Sequence, residues 1–459
     1  MPAAVRISEK SNDAVFTLGQ LFPTGSAIDV LSNGHLTLWR DGHEHLGVLA
    51  EHEGRTYVAT PLGSEVERLL RLPKATDDFG NIELLVSRLT AMIASHSQLD
   101  EDSSLLVAAF VLSSWVFDCL PTAPCLNLCG RPGTETTLLN ILASVCRRPL
   151  PLAQASIAKL SKLPEGLSPT LILNHPRPAA LMPVLAAITG SNVSLLAHHR
   201  VVDLRYATIV CTQNPIPATA LNVHLHPEGS AYRRITQATM EQLADEFQPY
   251  LVRYRLTRHR EVANSEFDAP RLHWNVRMLA RALGAAVEGS PETQARIIEA
   301  LRRSDEKSKV ESSQSPAAVV LEALLVACHE KRPEIHVFEI AELANGIFLG
   351  RHDDQVLSPK ALGGILRAEL GLCPERDVRG YALRLSSQTR QRIHNLASAY
   401  GTLSMMTPHP DCALCSELAS QTLDPGNHIR KHVHEVHDVH EVHDVHDVHD
   451  VHNQAGAEP

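Results

Sequence analysis

Between Cys125 and His226, short apolar runs and helix-type stretches take turns: LNLCG, TTLLNILASV, TLILN, PAALMPVLAAI, VSLLAH, ATIVCT and LNVHLH. A strand that must return through a helix before the next strand argues for a parallel sheet covered by helices. This alternation sets the fold class as α/β. A chain of 459 residues is too long for one ordinary core, and its 44% apolar residues suffice to fill several.

The flanks divide the rest. Residues 27–60 hold short β-type runs separated by Asn33-Gly34 and Asp41-Gly42, which predicts a small antiparallel unit within residues 1–75. A helical stretch over about 82–118 leads into the core, taken as residues 76–235. From 236 to 303 the pattern is helical, with Ser290 placed to cap a helix that has Pro291 in its first position. Residues 304–315, SDEKSKVESSQS, are polar without an apolar period and are expected to be a linker.

Within the core, CLNLCGRPGTETTLLNIL (125–142) has the layout of a phosphate-binding loop: strand, glycine-bearing turn, amphipathic helix. Gly130 and Gly133 can shape the turn, and Thr137 keeps a hydroxyl for Mg²⁺. The phosphate-reaching Lys is missing. Thr136 brings no charge, Glu135 sets a carboxylate among the expected phosphate oxygens, and Arg131 is the one nearby cation. After the strand Thr170–Leu173, where a nucleotide hydrolase carries acidic residues, stand Asn174 and His175. Thr212-Gln213-Asn214 ends a third strand, at the place where related folds often sense the γ-phosphate. A weak, degenerate nucleotide site is therefore expected at Gly130, Arg131, Gly133, Thr136, Thr137 and Asn174, with ATP and Mg²⁺ disfavoured, no catalytic residue and no ATP hydrolysis. The run from Trp115 to about Pro227, with SSWVFDCLPTAPCLNLCGRPG, CRRPLPL and PTLILNHP, resembles the ATPase-like core of bacterial proteins similar to mobile-element and phage helicase- or primase-associated proteins. The resemblance covers about half the chain once the C-terminal domain is included. It implies fold and context, since the catalytic positions differ at Glu135, Thr136, Asn174 and His175.

Residues 316–401 read as three helices, AAVVLEALLVACHE, HVFEIAELANGIF and KALGGILRAELG, then an alternating β-arm at 376–386 and a final helix. This order predicts a winged helix, whose third helix can enter the DNA major groove. Lys360, Gly364 and Arg367 fall off that helix's apolar stripe, and Arg376, Arg379 and Arg384 lie on the arm. Ser358 to Asn395 holds seven Lys or Arg against three Asp or Glu, counting Arg390 and Arg392, which suits phosphate contact. The stretch LSPKALGGILRAELGLCPERDVRGYALRLSSQTRQRIHNLASAYG resembles the winged-helix tails that close such ATPase-like proteins.

In residues 402–432, Cys412-Ala-Leu-Cys415 followed by His428 and His432 has Cys-Cys-His-His zinc spacing. The tail from 433 to 459 repeats Val-His-Asp/Glu and has too little apolar content for a core, so it is expected to be disordered. It carries seven acidic residues and no Lys or Arg, leaving −3 of the net charge of −10 for the remainder. The scattered cysteines argue against a disulfide framework. No apolar run approaches the roughly 18 residues of a membrane span, and the N-terminus lacks a secretory layout, which predicts a cytoplasmic protein without membrane contact. The sequence thus points to a DNA-associated accessory or regulatory protein with an inactive ATPase-like core. The rival expectations are an active NTPase with an atypical phosphate loop, and a metal-binding scaffold that meets other proteins.

Overall fold

The computed structural model describes residues 14–423, apart from 64–68, 165, 175–181, 191–193, 198–199, 214–215, 217–219, 226–234, 271, 273 and 406–408. His175, Asn214, His428, His432 and the repeat tail therefore lie outside the described residues.

Five strands form the central sheet: β1 (Cys125–Cys129), β2 (Pro149–Leu152), β3 (Thr170–Leu173), β4 (Thr208–Thr212) and β5 (Leu221–His224). Their order across the sheet is β5-β1-β4-β3-β2, and every pairing is parallel. β2 carries Pro149 and Pro151, which cannot donate to a ladder, and it lies at the sheet edge. VSLLAH departs from expectation. Ser194–Ala197 pairs antiparallel with Arg200–Asp203 as a separate hairpin and adds no strand to the sheet.

Alternation along the strands assigns each face. Leu126, Leu128, Ile172 and Ile209 turn toward a helical layer, while Cys125, Leu171, Leu173 and Val210 turn toward the N-terminal β unit. The helical layer contains α1 (Ile82–Ser97), α2 (Glu101–Val116), α3 (Thr136–Val145), α4 (Gln237–Ala263), α5 (Trp274–Ala285) and α6 (Pro291–Ser312). α2 is buried from Ser104 onward, and with the turn Phe117–Cys119 it is the one described helix long and apolar enough to cross a membrane by length and composition. In the sequence its serines and acidic first turn interrupt the apolar run. Here it packs against α1, α4, α5 and α6, and an all-round apolar surface suits a central core helix.

The N-terminal unit has a four-stranded antiparallel sheet, in which Asp41 and Gly42, both at positive φ, turn the hairpin Leu36–Arg40/His43–Gly47. A three-stranded sheet joins it. There Ala14–Thr17 runs parallel to Arg55–Ala59, so the unit is not wholly antiparallel. It is fastened to the core by a buried charge cluster. Asp29 meets Arg148, with Arg147 and Arg255 each at 3.2 Å, and Arg255 also holds Asp118 through two bonds of 2.6 and 2.7 Å.

The expected linker at 304–315 is helical as far as Ser312, within α6. Same-face pairs run into it from the preceding turn: Arg302 bonds Glu299 at 2.8 Å and Glu306 at 2.5 Å. Beyond it α7 (Pro316–His329), capped by Ser315, opens a separate core. This core adds β6 (Glu334–His336), α8 (Val337–Gly350), α9 (Pro359–Gly364, continued by a π turn to Glu369), β7 (Glu375–Asp377), β8 (Gly380–Arg384) and α10 (Ser387–Ala399). The strands form an antiparallel sheet in the order β6-β8-β7. A last described helix, α11 (Ala413–Leu423), lies against α10.

Candidate functional site

In an open parallel sheet, ligands bind outside the carboxyl ends of the strands, where the chain's crossing direction reverses. That point falls beside β1, since the chain leaves it for β2 at the far edge and later places β5 on its other side. The glycine-bearing loop stands there. Gly130 donates its N–H to the Thr212 carbonyl at 2.9 Å, and a Cβ on it would sit 2.5 Å from Thr134 Oγ1 and 3.1 Å from Leu225. No side chain fits that approach. Gly133 has φ +97°, a backbone that favours glycine.

Several of the loop's donors are engaged within the loop itself. The Gly133 N–H donates to Glu135 Oε2 at 2.7 Å. Thr136, at the Lys position, donates its hydroxyl to the Gly133 carbonyl at 3.1 Å, and Thr134 donates to the Arg131 carbonyl at 2.7 Å. The Glu135 carboxylate thus folds back onto the glycine-bearing turn. Thr137 is buried in the first turn of α3 and faces a narrow cleft with Asp100, Ser103 and His224. Asp100 sets a second carboxylate beside the cleft. Arg131 and Asn174 are exposed, Asn174 one residue past β3.

Under the crevice lies a polar ladder that the sequence reading missed. Thr212 donates its hydroxyl to Asn127 Oδ1 at 2.8 Å, Asn127 Nδ2 donates to Asn222 Oδ1 at 2.9 Å, and the Asn222 amide exchanges bonds with both backbone groups of Ile216 at 2.8 and 3.0 Å. Three adjacent strands, β4, β1 and β5, are thereby cross-linked through the end of β4, the middle of β1 and the first half of β5. The signal was an amide in the middle of LNL, where a buried central strand otherwise reads apolar.

On the C-terminal unit, Lys360, Gly364, Arg367, Arg376, Arg379 and Arg384 are all exposed. Arg367 lies 6.0 Å over the Tyr381 ring, which joins α9 to the arm, and Arg384 pairs with Glu375 at 3.4 Å. Val378, at the turn of the arm, is fully exposed. His336, which starts α8, reaches Asp377 at 3.0 Å and holds the arm against the helices. Arg390 has a different task. It donates to the carbonyls of Leu385 at 2.9 Å, Cys328 at 2.5 Å and also Arg332, so it belongs to the packing of this unit. Arg392 reaches the Leu370 carbonyl at 3.5 Å.

Cys412 and Cys415 come together with two histidines other than those their spacing suggested. His329 ends α7 and His394 lies on α10; their ring nitrogens and the two sulfurs are all within 4.8 Å of one another. His329 Nε2 is 3.2 Å from Cys415 Sγ, and His394 Nε2 is 3.3 Å from Cys412 Sγ. Burial, with the His394 and His409 rings beside it, lowers the His329 pKa to about 4, and burial lowers that of His394 too. Both imidazoles are therefore neutral donors near neutral pH, and the group could hold a metal ion. Sequence spacing could not find these histidines, because they lie 83 and 18 residues before Cys412 and are brought to it by the packing of α7, α10 and α11.

No family model matches the chain, and no curated protein does. Among solved structures, the SCCmec type IV Cch helicase is 10% identical, with 83% of this chain and 80% of that one covered and a TM-score of 0.41. The C-terminal region of NrS-1 is 11% identical over 79% of this chain and 96% of its own, with a TM-score of 0.28. Cdc6p from Pyrobaculum aerophilum is 12% identical over 68% and 92%, with a TM-score of 0.16.

Proposed function

We propose that this chain is a DNA-associated accessory protein whose P-loop-like core has lost nucleotide hydrolysis, and whose residues 316–401 form a winged helix that grips DNA. The observation that carries the reading is the joint exposure of Lys360 and Arg367 on α9 with Arg376, Arg379 and Arg384 on the arm. Among the described residues Lys360, Arg376 and Arg379 carry no ion pair, so their charge is free for phosphate oxygens. Helix–strand–helix–helix–strand–strand is the order a winged helix requires, and the Arg367–Tyr381 contact keeps α9 and the arm on one surface. Gly364 has open space above it, which lets a backbone approach closely.

The core is read as a phosphate loop turned inward, with Glu135 in the cradle. Its service is then to hold the flanking units in place. Fluorescence anisotropy on a short duplex tests the DNA reading. Binding should weaken steeply with salt, and Lys360→Ala with Arg367→Ala should weaken it across all sequences, lowering the salt slope by about 1 per lost phosphate contact. Unchanged affinity and slope in that variant would discard the assignment.

A further inference from the structure

We propose that His329, His394, Cys412 and Cys415 form a tetrahedral Zn²⁺ site that clasps α11 and the segment before it to the α7–α10 edge of the C-terminal unit. With Zn–S near about 2.3 Å and Zn–N near about 2.0 Å, a tetrahedron has nitrogen–sulfur edges of about 3.5 Å. The observed pairs of 3.2 and 3.3 Å need only a slight opening to admit the ion. Two thiolates and two imidazoles in that geometry select zinc among the abundant divalent ions.

The histidine on α10 is already set for ligation. Its Nδ1 lies 2.8 Å from the Arg390 carbonyl oxygen, which can only accept, so the proton sits on Nδ1 and the Nε2 lone pair faces Cys412. The His329 ring is stacked on His409, with centroids 4.7 Å apart. His394 and Cys415 are 1% and 2% exposed, which shields the centre from water. On loading, each thiol gives its proton to solvent as its sulfur bonds the ion. The set holds four donors without His428 or His432.

The metal ties together three segments that are distant in sequence. Its loss should free residues 409–423 while leaving the rest of the unit folded, because the apolar core of that unit is built from α7 to α10.

Cobalt substitution in the full chain tests this, because thiolate-to-cobalt charge transfer cannot arise from the histidine repeat. One equivalent of Co²⁺ should give that band together with tetrahedral visible bands, displaced by one equivalent of Zn²⁺. Cys412→Ser should abolish it, and His329→Ala or His394→Ala should weaken Co²⁺ affinity at least tenfold. His428→Ala with His432→Ala should leave it unchanged. His394→Cys keeps a ligand and should shift the spectrum toward three thiolates, which separates lost ligation from lost folding. Absence of the charge-transfer band would overturn the site. So would a band that survives His329→Ala and His394→Ala but disappears with His428→Ala and His432→Ala.

Discussion

At the junction of the N-terminal unit with the core, Asp29 answers for three guanidiniums, Arg147, Arg148 and Arg255, all of them buried. Burial alone would raise its carboxyl pKa, but the three arginines hold it below the usual value; Asp118 is likewise held low, chiefly by Arg255 against its own burial. Replacing Asp29 with Asn should cost about 3–5 kcal/mol in urea unfolding, since the charges left behind have no water to turn to. Both carboxyls have folded pKa values below their unfolded ones. Their contribution is complete above the unfolded value of about 3.9 and declines as pH falls below it, so acid titration of stability should steepen below about pH 4 and soften in Asp29→Asn. Glu135 yields a second prediction at this scale. Thr136→Lys with Glu135→Ala should free the Gly133 amide and supply the missing ammonium. That variant should rise in melting temperature with Mg-ATP while the parent does not, and an equal response in both would refute the blocked loop. The sequence revealed the wrong charge at Glu135 but not where its carboxylate rests, because a hydrogen bond to an amide two residues away depends on the turn's own geometry.

Among elements, the difference between Arg390 and Arg367 shows what a count of charges leaves out. Both contribute to the basic excess of residues 358–395, yet one is spent on carbonyls inside the unit and the other reaches solvent over Tyr381. Arg390→Ala should lower the melting temperature by the equivalent of at least about 2 kcal/mol, since several part-buried carbonyls lose their donor, whereas Arg367→Ala should leave it nearly unchanged. Thermal unfolding of the two variants side by side checks the contrast. The strands and helices of the central sheet were legible because apolar periodicity reports burial directly. Their neighbours were less so. The hairpin Ser194–Asp203 has the composition of a sheet strand but no place in the ladder, and residues 304–312 continue α6 as a polar helix that leaves no apolar period to read. The candidate metal residues divide in the same manner: the cysteine pair is a local pattern, whereas His329 and His394 become its neighbours only through tertiary packing.

For the whole molecule, the order in which the parts are synthesised matters. α2 is apolar on every side, and much of its cover, α4, α5 and α6, lies beyond residue 236, with the full central sheet encoded in between. During synthesis a membrane-length greasy rod, covered on one side by α1, waits through more than a hundred residues for its other companions. A fragment ended before Gln237 would keep the sheet, its loop and α1 but strip the rod of its other three helical partners, inviting self-association or lipid, so the core cannot be cut down to its sheet and remain a well-behaved protein.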